Sequence, residues 1–267
     1  MSKFIILVPF LTACATALLT QSSAGKGTDH DFRVVGGTDA ADGAYPFMVS
    51  LRTSSNIHFC GGTILNTRWI LTAGHCMIGK DTSDVVAVVG TNTLKSKGII
   101  RRTCKIVIHP NYNDTNFSND IAVIMVTTPF TFNGTIASVV IITGFPPPIL
   151  NVTVIGWGRT NGGAAPIRLQ EFSTQTISRS LCSPFYKETI KPNCVCTKMR
   201  KGKGICNGDS GSPLLHTESK AQLGISSFNN REGCNTDLVL LDVYTKVAPY
   251  AGWMRETLRS PKLTCSL

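Results

Sequence analysis

The sequence predicts an all-β, barrel-like fold, on three observations. Short apolar or alternating segments recur along its 267 residues, clusters of Gly, Pro, Asn and Asp separate them, and no internal repeat or long linker divides the chain. The length suits a single large β domain, and 42% apolar residues supply an ample core. In chain order, residues 47–52 form an apolar run ending at Arg52 before a Thr-Ser-Ser-Asn turn, and residues 85–89 are a Val-rich run closed by Gly90. Residues 99–108 begin and end on isoleucine pairs or near-pairs and stop before Pro110, residues 121–126 are Ile/Val-rich, and residues 152–155 stop at Gly156. Residues 222–227 complete the set. One helix is predicted, over 250–259. It opens after Pro249, places Tyr250, Trp253, Met254 and Leu258 on one face, and stops before Pro261.

The N-terminus reads as a targeting segment. Lys3 precedes an apolar run from Phe4 to Leu19, and Ser22-Ser23-Ala24 follows as a small-residue cleavage site, so residues 1–24 are expected to be a secretory signal peptide. The run is short and broken by Pro9, and no later span exists, which argues against a membrane anchor. A secreted, extracellular protein makes its cysteines legible as disulfides. Cys14 leaves with the signal, so nine of ten cysteines remain. Asn113, Asn116, Asn133 and Asn151 each begin a glycosylation sequon. The full chain carries +10, and residues 34–267 keep 23 Lys or Arg against 14 Asp or Glu. Such a surface favours acidic partners, among them acidic polysaccharides and anionic cell surfaces, although solubility alone would also account for it. No nucleic-acid motif is present.

Three motifs carry chemistry: Leu71-Thr72-Ala73-Gly74-His75-Cys76, Asn119-Asp120-Ile121-Ala122 and Cys206-Asn207-Gly208-Asp209-Ser210-Gly211-Ser212-Pro213. They deliver His75, Asp120 and Ser210 in that order, 45 and 90 residues apart. Of the three chain orders in which this trio occurs, this one belongs to the chymotrypsin β-barrels. From Val34 to about Ser260 the chain resembles a chymotrypsin-family secreted serine protease. The resemblance implies two six-stranded antiparallel β-barrels with a C-terminal helix and the active site in the cleft between them. A serine hydroxyl needs an adjacent base to act as a nucleophile. Ser210 is therefore the expected nucleophile, His75 its base and Asp120 the group that fixes the imidazole. Ser227 is expected behind Asp120. The N–H groups of Gly208 and Ser210 are expected to form the oxyanion hole. No metal and no cofactor are required.

The resemblance also implies a zymogen. Phe32-Arg33-Val34-Val35-Gly36-Gly37 matches the family's activation junction, making residues 25–33 a propeptide and 34–267 the protease domain. A trypsin-like protease cutting after Arg33 would free the Val34 amine to pair with Asp209. The implied disulfides are Cys60–Cys76, Cys182–Cys196 and Cys206–Cys234, while Val152 and His216 stand where many relatives carry another bridge. Cys104, Cys194 and Cys265 are left over. Cys104–Cys265 is a candidate staple for the tail, and Cys194 would then be odd, whether free, linked to another chain or competing with Cys196 for Cys182.

Specificity is the ambiguous part. Gly204 occupies the pocket-base position where trypsin-like members carry Asp, and Asp242 falls on the opposite wall, an exchange that resembles brachyurin-type proteases. Asn229, Ile205 and Phe228 point instead to a narrowed pocket, and Asp242 could pair locally without meeting substrate. The basic run from Lys198 to Lys203 borders the same region. The sequence thus predicts a monomeric, secreted serine endopeptidase with protein substrates, activated after Arg33, with a non-standard P1 preference. The alternative is a protease-like binding protein with impaired turnover.

Overall fold

The computed structural model describes residues 37–144, 147–159, 165–186, 190–198, 204–229, 241–261 and 263–265. The expected signal peptide and propeptide, Arg33, Val34, Cys234 and the basic run beyond Lys198 lie outside the described residues.

A two-residue strand, β1 (Thr38–Asp39), precedes the first barrel. That barrel is built from β2 (Met48–Arg52), β3 (His58–Ile64), β4 (Trp69–Thr72), β5 (Val86–Val89), β6 (Ile99–Ile108) and β7 (Ala122–Val126). They close in the order β2-β3-β4-β7-β6-β5 through antiparallel pairs. The second barrel comprises β8 (Asn151–Gly156), β9 (Gln170–Ile177), β10 (Cys194–Thr197), β11 (Pro213–His216), β12 (Gln222–Phe228) and β13 (Asp242–Lys246). Its order is β9-β10-β13-β12-β11-β8, and β8 returns to pair with β9, while β1 adds to the outside of β9. Closure removes the unpaired edges that an open sheet would expose.

The six predicted strands appear within one or two residues of their predicted bounds. β1, β3, β4, β9, β10, β11 and β13 were not predicted, and in β9 the buried face, Gln170, Phe172, Thr174 and Thr176, is mostly polar. Those polar groups are bonded inside the protein: Thr174 Oγ1 donates to Lys198 O and Thr176 Oγ1 to Pro148 O. Val152 and His216 are direct cross-strand partners between β8 and β11, so the two positions without cysteine face one another.

The short helix α1 (Arg179–Cys182) carries Cys182, which bonds Cys196 on β10. The C-terminal helix α2 (Ala251–Arg259) follows a 3-10 turn over Ala248–Tyr250. Tyr250 and Met254 are buried in the first-barrel core with Ile121 and Ile124, and Trp253 and Leu258 pack against it. Cys60–Cys76 joins β3 to the turn that carries His75, and Cys104–Cys265 ties the tail to β6. Cys194 is a free buried thiol, its pKa pushed up to about 11 chiefly by burial. Among the described residues no helix is long and apolar enough to cross a membrane.

The tail bridge closes a loop of 161 residues, so it restricts the unfolded chain far more than the folded one. Replacing Cys104 and Cys265 together by Ser is expected to cost about 2–4 kcal/mol, read as a lower urea midpoint. An unchanged midpoint would show that the staple contributes nothing.

Candidate active site

The site is assembled where loops of the two barrels meet. Gly61 N on β3 donates to Ser210 O at 2.8 Å, and Thr72 Oγ1 donates to Gly61 O at 2.8 Å. A Cβ on Gly211, which has φ +79°, would lie 2.3 Å from Thr72 Oγ1 and 2.5 Å from Gly61 O, so this close approach requires glycine. The contact brings the Ser210 loop against β4, directly before Gly74 and His75.

Asp120 has no solvent exposure, and its carboxylate accepts three hydrogen bonds. His75 N donates to Oδ1 at 2.8 Å, His75 Nδ1 lies 2.8 Å from Oδ2, and Ser227 Oγ on β12 donates to Oδ2. With Nδ1–H held on the carboxylate, Nε2 is left as the imidazole's acceptor. The Ser210 hydroxyl is partly exposed and makes no hydrogen bond among the described residues. In ligand-free sites such bonds are commonly long and tighten when substrate arrives.

Gly208 has φ +100°, a conformation that favours glycine, and its N–H and that of Ser210 have no acceptor among the described residues. Backbone donors are seldom left unpaired, and here two face the same loop. Between them Asp209, 1% exposed, accepts from Gly158 N at 2.7 Å and Cys206 N at 2.9 Å.

A residue absent from the sequence reading supports this loop. His58 Nε2 lies 3.0 Å from Gly208 O, and its Nδ1 lies 2.9 Å from Ser50 Oγ. Arg52 Nε donates to Ser50 Oγ at 2.9 Å. Gly208 O can only accept, so His58 Nε2 carries a proton, bonding a residue whose own N–H has no acceptor among the described residues. Burial pushes its pKa down to about 4, against the bond to Gly208 O and aided by Arg52. No motif marks His58; only its pairing across the sheet with Arg52 could have drawn attention to it. Phe117 was also missed. Its ring meets His75 edge-on at 5.7 Å and stacks on Phe228 at 5.3 Å.

Beside Ser210 lies a cavity of about 250 Å³, lined by Ile205, Cys206, Asn207, Ser210, Ser227, Phe228 and Asn229. Gly204 and Asp242, the two positions expected to set its charge, are not among its lining residues. Asp242 is fully buried on β13, and its Oδ2 accepts from Ile205 N at 2.9 Å. Asn229 Nδ2 donates to Ile205 O at 3.1 Å. The Ile205 backbone is thereby held on both sides, and its side chain is 4% exposed. Cys206 is disulfide-bonded.

Asn113, Asn133 and Asn151 are exposed and Asn116 is half-buried. The described residues hold one His/Cys cluster with metal-ligand spacing, Cys60, His75 and Cys76, and its two sulfurs are joined in a disulfide, leaving no thiolate to ligate.

The trypsin family profile matches residues 34–254. Trypsin from Sus scrofa is 33% identical over 242 residues, covering 86% of this chain and 98% of the relative. Trypsin alpha-4 from Lucilia cuprina is 34% identical over 219 residues, covering 80% and 84% respectively. Chymotrypsin-2 from Vespa crabro is 31% identical over 231 residues, covering 84% and 99%.

Neutral burial of His58 gives stability a predictable pH dependence. Its folded pKa lies below the unfolded value near 6.5, so the unfolded chain binds the proton first on acidification. This contribution is present above about pH 6.5 and is lost as pH falls toward 4, by up to about 3 kcal/mol. His58→Gln is expected to flatten that segment of a stability–pH curve. A curve of unchanged shape would refute the assignment.

Proposed function

This chain belongs to the trypsin family and is a serine endopeptidase of the chymotrypsin type, and from that premise we propose that Ser210, His75 and Asp120 are its catalytic triad. The observation that carries the proposal is the buried Asp120 carboxylate bonded to both His75 N and His75 Nδ1. That bonding leaves Nε2 able to take the Ser210 proton as Oγ attacks the scissile carbonyl. The tetrahedral oxyanion is received by the N–H groups of Gly208 and Ser210. His75 then returns the proton to the leaving amine, and water hydrolyses the acyl-enzyme by the same route in reverse. Asp120 remains ionised throughout, and Ser227 helps hold it in place.

The chain is read as secreted, with residues 1–24 a signal peptide and 25–33 a propeptide. The family match beginning at Val34 supports that boundary. Cleavage after Arg33 frees the Val34 ammonium, whose partner is Asp209. A carboxylate that is 1% exposed is stabilised by pairing with a cation brought into the same interior. Asp209 is thus the activation switch and takes no part in proton transfer. The exposed sequon asparagines are glycan sites, and Asn113 and Asn116 lie within seven residues of Asp120.

For P1 we propose a small, uncharged side chain. A lysine or arginine would need an anion in the cavity, yet Asp242 directs an oxygen to Ile205 N and does not line it. The Asn229–Ile205 bond narrows the same space.

Ser210→Ala is expected to lower turnover about a million-fold while leaving the fold intact. Cleavage by the purified variant equal to wild type would leave only a protease-like binding protein. A P1 library on activated enzyme is expected to favour Ala, Val or Thr, with Asn229→Gly admitting larger apolar residues. A preference for Lys or Arg would overturn the P1 reading alone. Arg33→Gln should be secreted but inactive, and full activity in it would remove the activation step.

A further inference from the structure

We propose that the outer face of the first barrel, where β2, β5 and β6 run side by side, docks an acidic protein segment through one apolar anchor residue. A concavity of about 360 Å³ opens there, floored by Val86 and Ile100, edged by Asn56 and rimmed by Lys97 and Arg102. None of these residues belongs to the catalytic machinery, so the inference goes beyond the proposed reaction.

The charge around this bowl is one-sided. Residues 51–110 contain eight Lys or Arg and two Asp. Lys95, Lys97, Arg101, Arg102 and Lys105 have no carboxylate within 4.0 Å among the described residues. Arg101 spends its donors on the carbonyls of Pro129 and Ile100, and Asp84 turns one carboxylate oxygen to Asp81 N. Cations of one sign held along β6 and the loop that precedes it repel each other and favour an incoming anion.

A buried guanidinium adds to the field from beneath. Arg52, Val86 and Arg102 form one cross-strand row, because Arg52 pairs with Val86 and Val86 with Arg102. Arg52 is 1% exposed, and its Nη2 has no hydrogen-bond partner among the described residues although Nε and Nη1 are used. A charge in so dry a setting is poorly screened and reinforces the rim cations. Arg102 offers a planar fork that suits a carboxylate.

The floor decides the class of partner. Ile100 is 48% exposed and lines the concavity together with Val86, so two aliphatic side chains lie beside the cations. A sulfated polysaccharide would satisfy the charge and leave those side chains in water. A protein segment rich in Asp and Glu with one aliphatic or aromatic residue satisfies both, and the concavity is large enough for one such side chain.

The test uses the full chain and a fluorescein-labelled twelve-residue peptide of Asp, Glu and Ser with one central Leu. Anisotropy is measured in a Ser210→Ala background so that the probe survives, at physiological salt, where exposed charges are already screened. Lys97→Glu with Arg102→Glu is expected to weaken binding at least about tenfold, and Ile100→Ser about fivefold. With Ser210 intact and the chain cut after Arg33, both variants should turn over a short uncharged substrate at the parent rate, which excludes misfolding; Lys97→Ala with Arg102→Ala replaces the charge reversal if that variant does not fold. Equal binding by parent and variants overturns the proposal. So does equal binding of a probe with Leu replaced by Ser, or capture of a heparin fragment at these residues without the peptide. Probe binding retained by a chain that has Ser210 intact and is cut after Arg33, yet cleaves nothing, would sink the protease reading and leave this one standing.

Discussion

A carboxylate buried to zero exposure dictates the arrangement around it, because every donor it loses is paid for in desolvation. Asp120 meets that demand with His75 from the end of β4 and with Ser227 from β12, so one side chain fixes the relation between elements of both barrels. The loop delivering Asp120 is fixed in turn. Asn119, at φ +54°, donates to Asn111 O and accepts from Tyr250 Oη and Asn193 Nδ2. His109 packs edge-on against Tyr250 and Trp253. The C-terminal helix therefore acts on the site by holding the loop that holds Asp120. The Cys104–Cys265 bridge beyond it extends that restraint to the end of the chain.

The same logic recurs twice. Among the described residues the buried carboxylates are Asp120, Asp209 and Asp242, and each is bonded by backbone N–H groups of a site loop. Asp209 gathers Gly158 and Cys206, and a Cβ on Gly156 or Gly158 would come within 2.0 Å of its oxygens. Asp242 gathers Ile205. Each buried anion orders one segment: the His75 imidazole, the loop carrying Gly208 and the backbone of Ile205. Rigid loops of this kind let preorganised donors act without reorganising as charge develops.

Local motifs made much of this legible in the sequence. His75, Asp120 and Ser210 were found by motif and order, Ser227 by its place in Gly224-Ile-Ser-Ser-Phe, and the six apolar strands by their runs. Three kinds of information were not legible. β9 hides a polar buried face whose partners are distant in sequence. His58 and Arg52 owe their roles to cross-strand register, which composition does not encode. The cysteines left Cys104–Cys265 as a candidate and the fate of Cys194 open; the fold brings the pair, 161 apart, into bonding range and leaves Cys194 buried and free.

The pocket shows why residue identity alone could not settle specificity. An acid on a pocket wall attracts a basic substrate only if its oxygens face the cavity. At Asp242 the Ile205 N–H is a donor at 2.9 Å, so one carboxylate oxygen is engaged within the buried wall. Ile205 is also the residue that Asn229 grips from the other side. The three residues therefore form one hydrogen-bonded unit beside the cavity. A Gly/Asp exchange read position by position predicts attraction for cations; read as a hydrogen-bonded group, it predicts a rigid constriction.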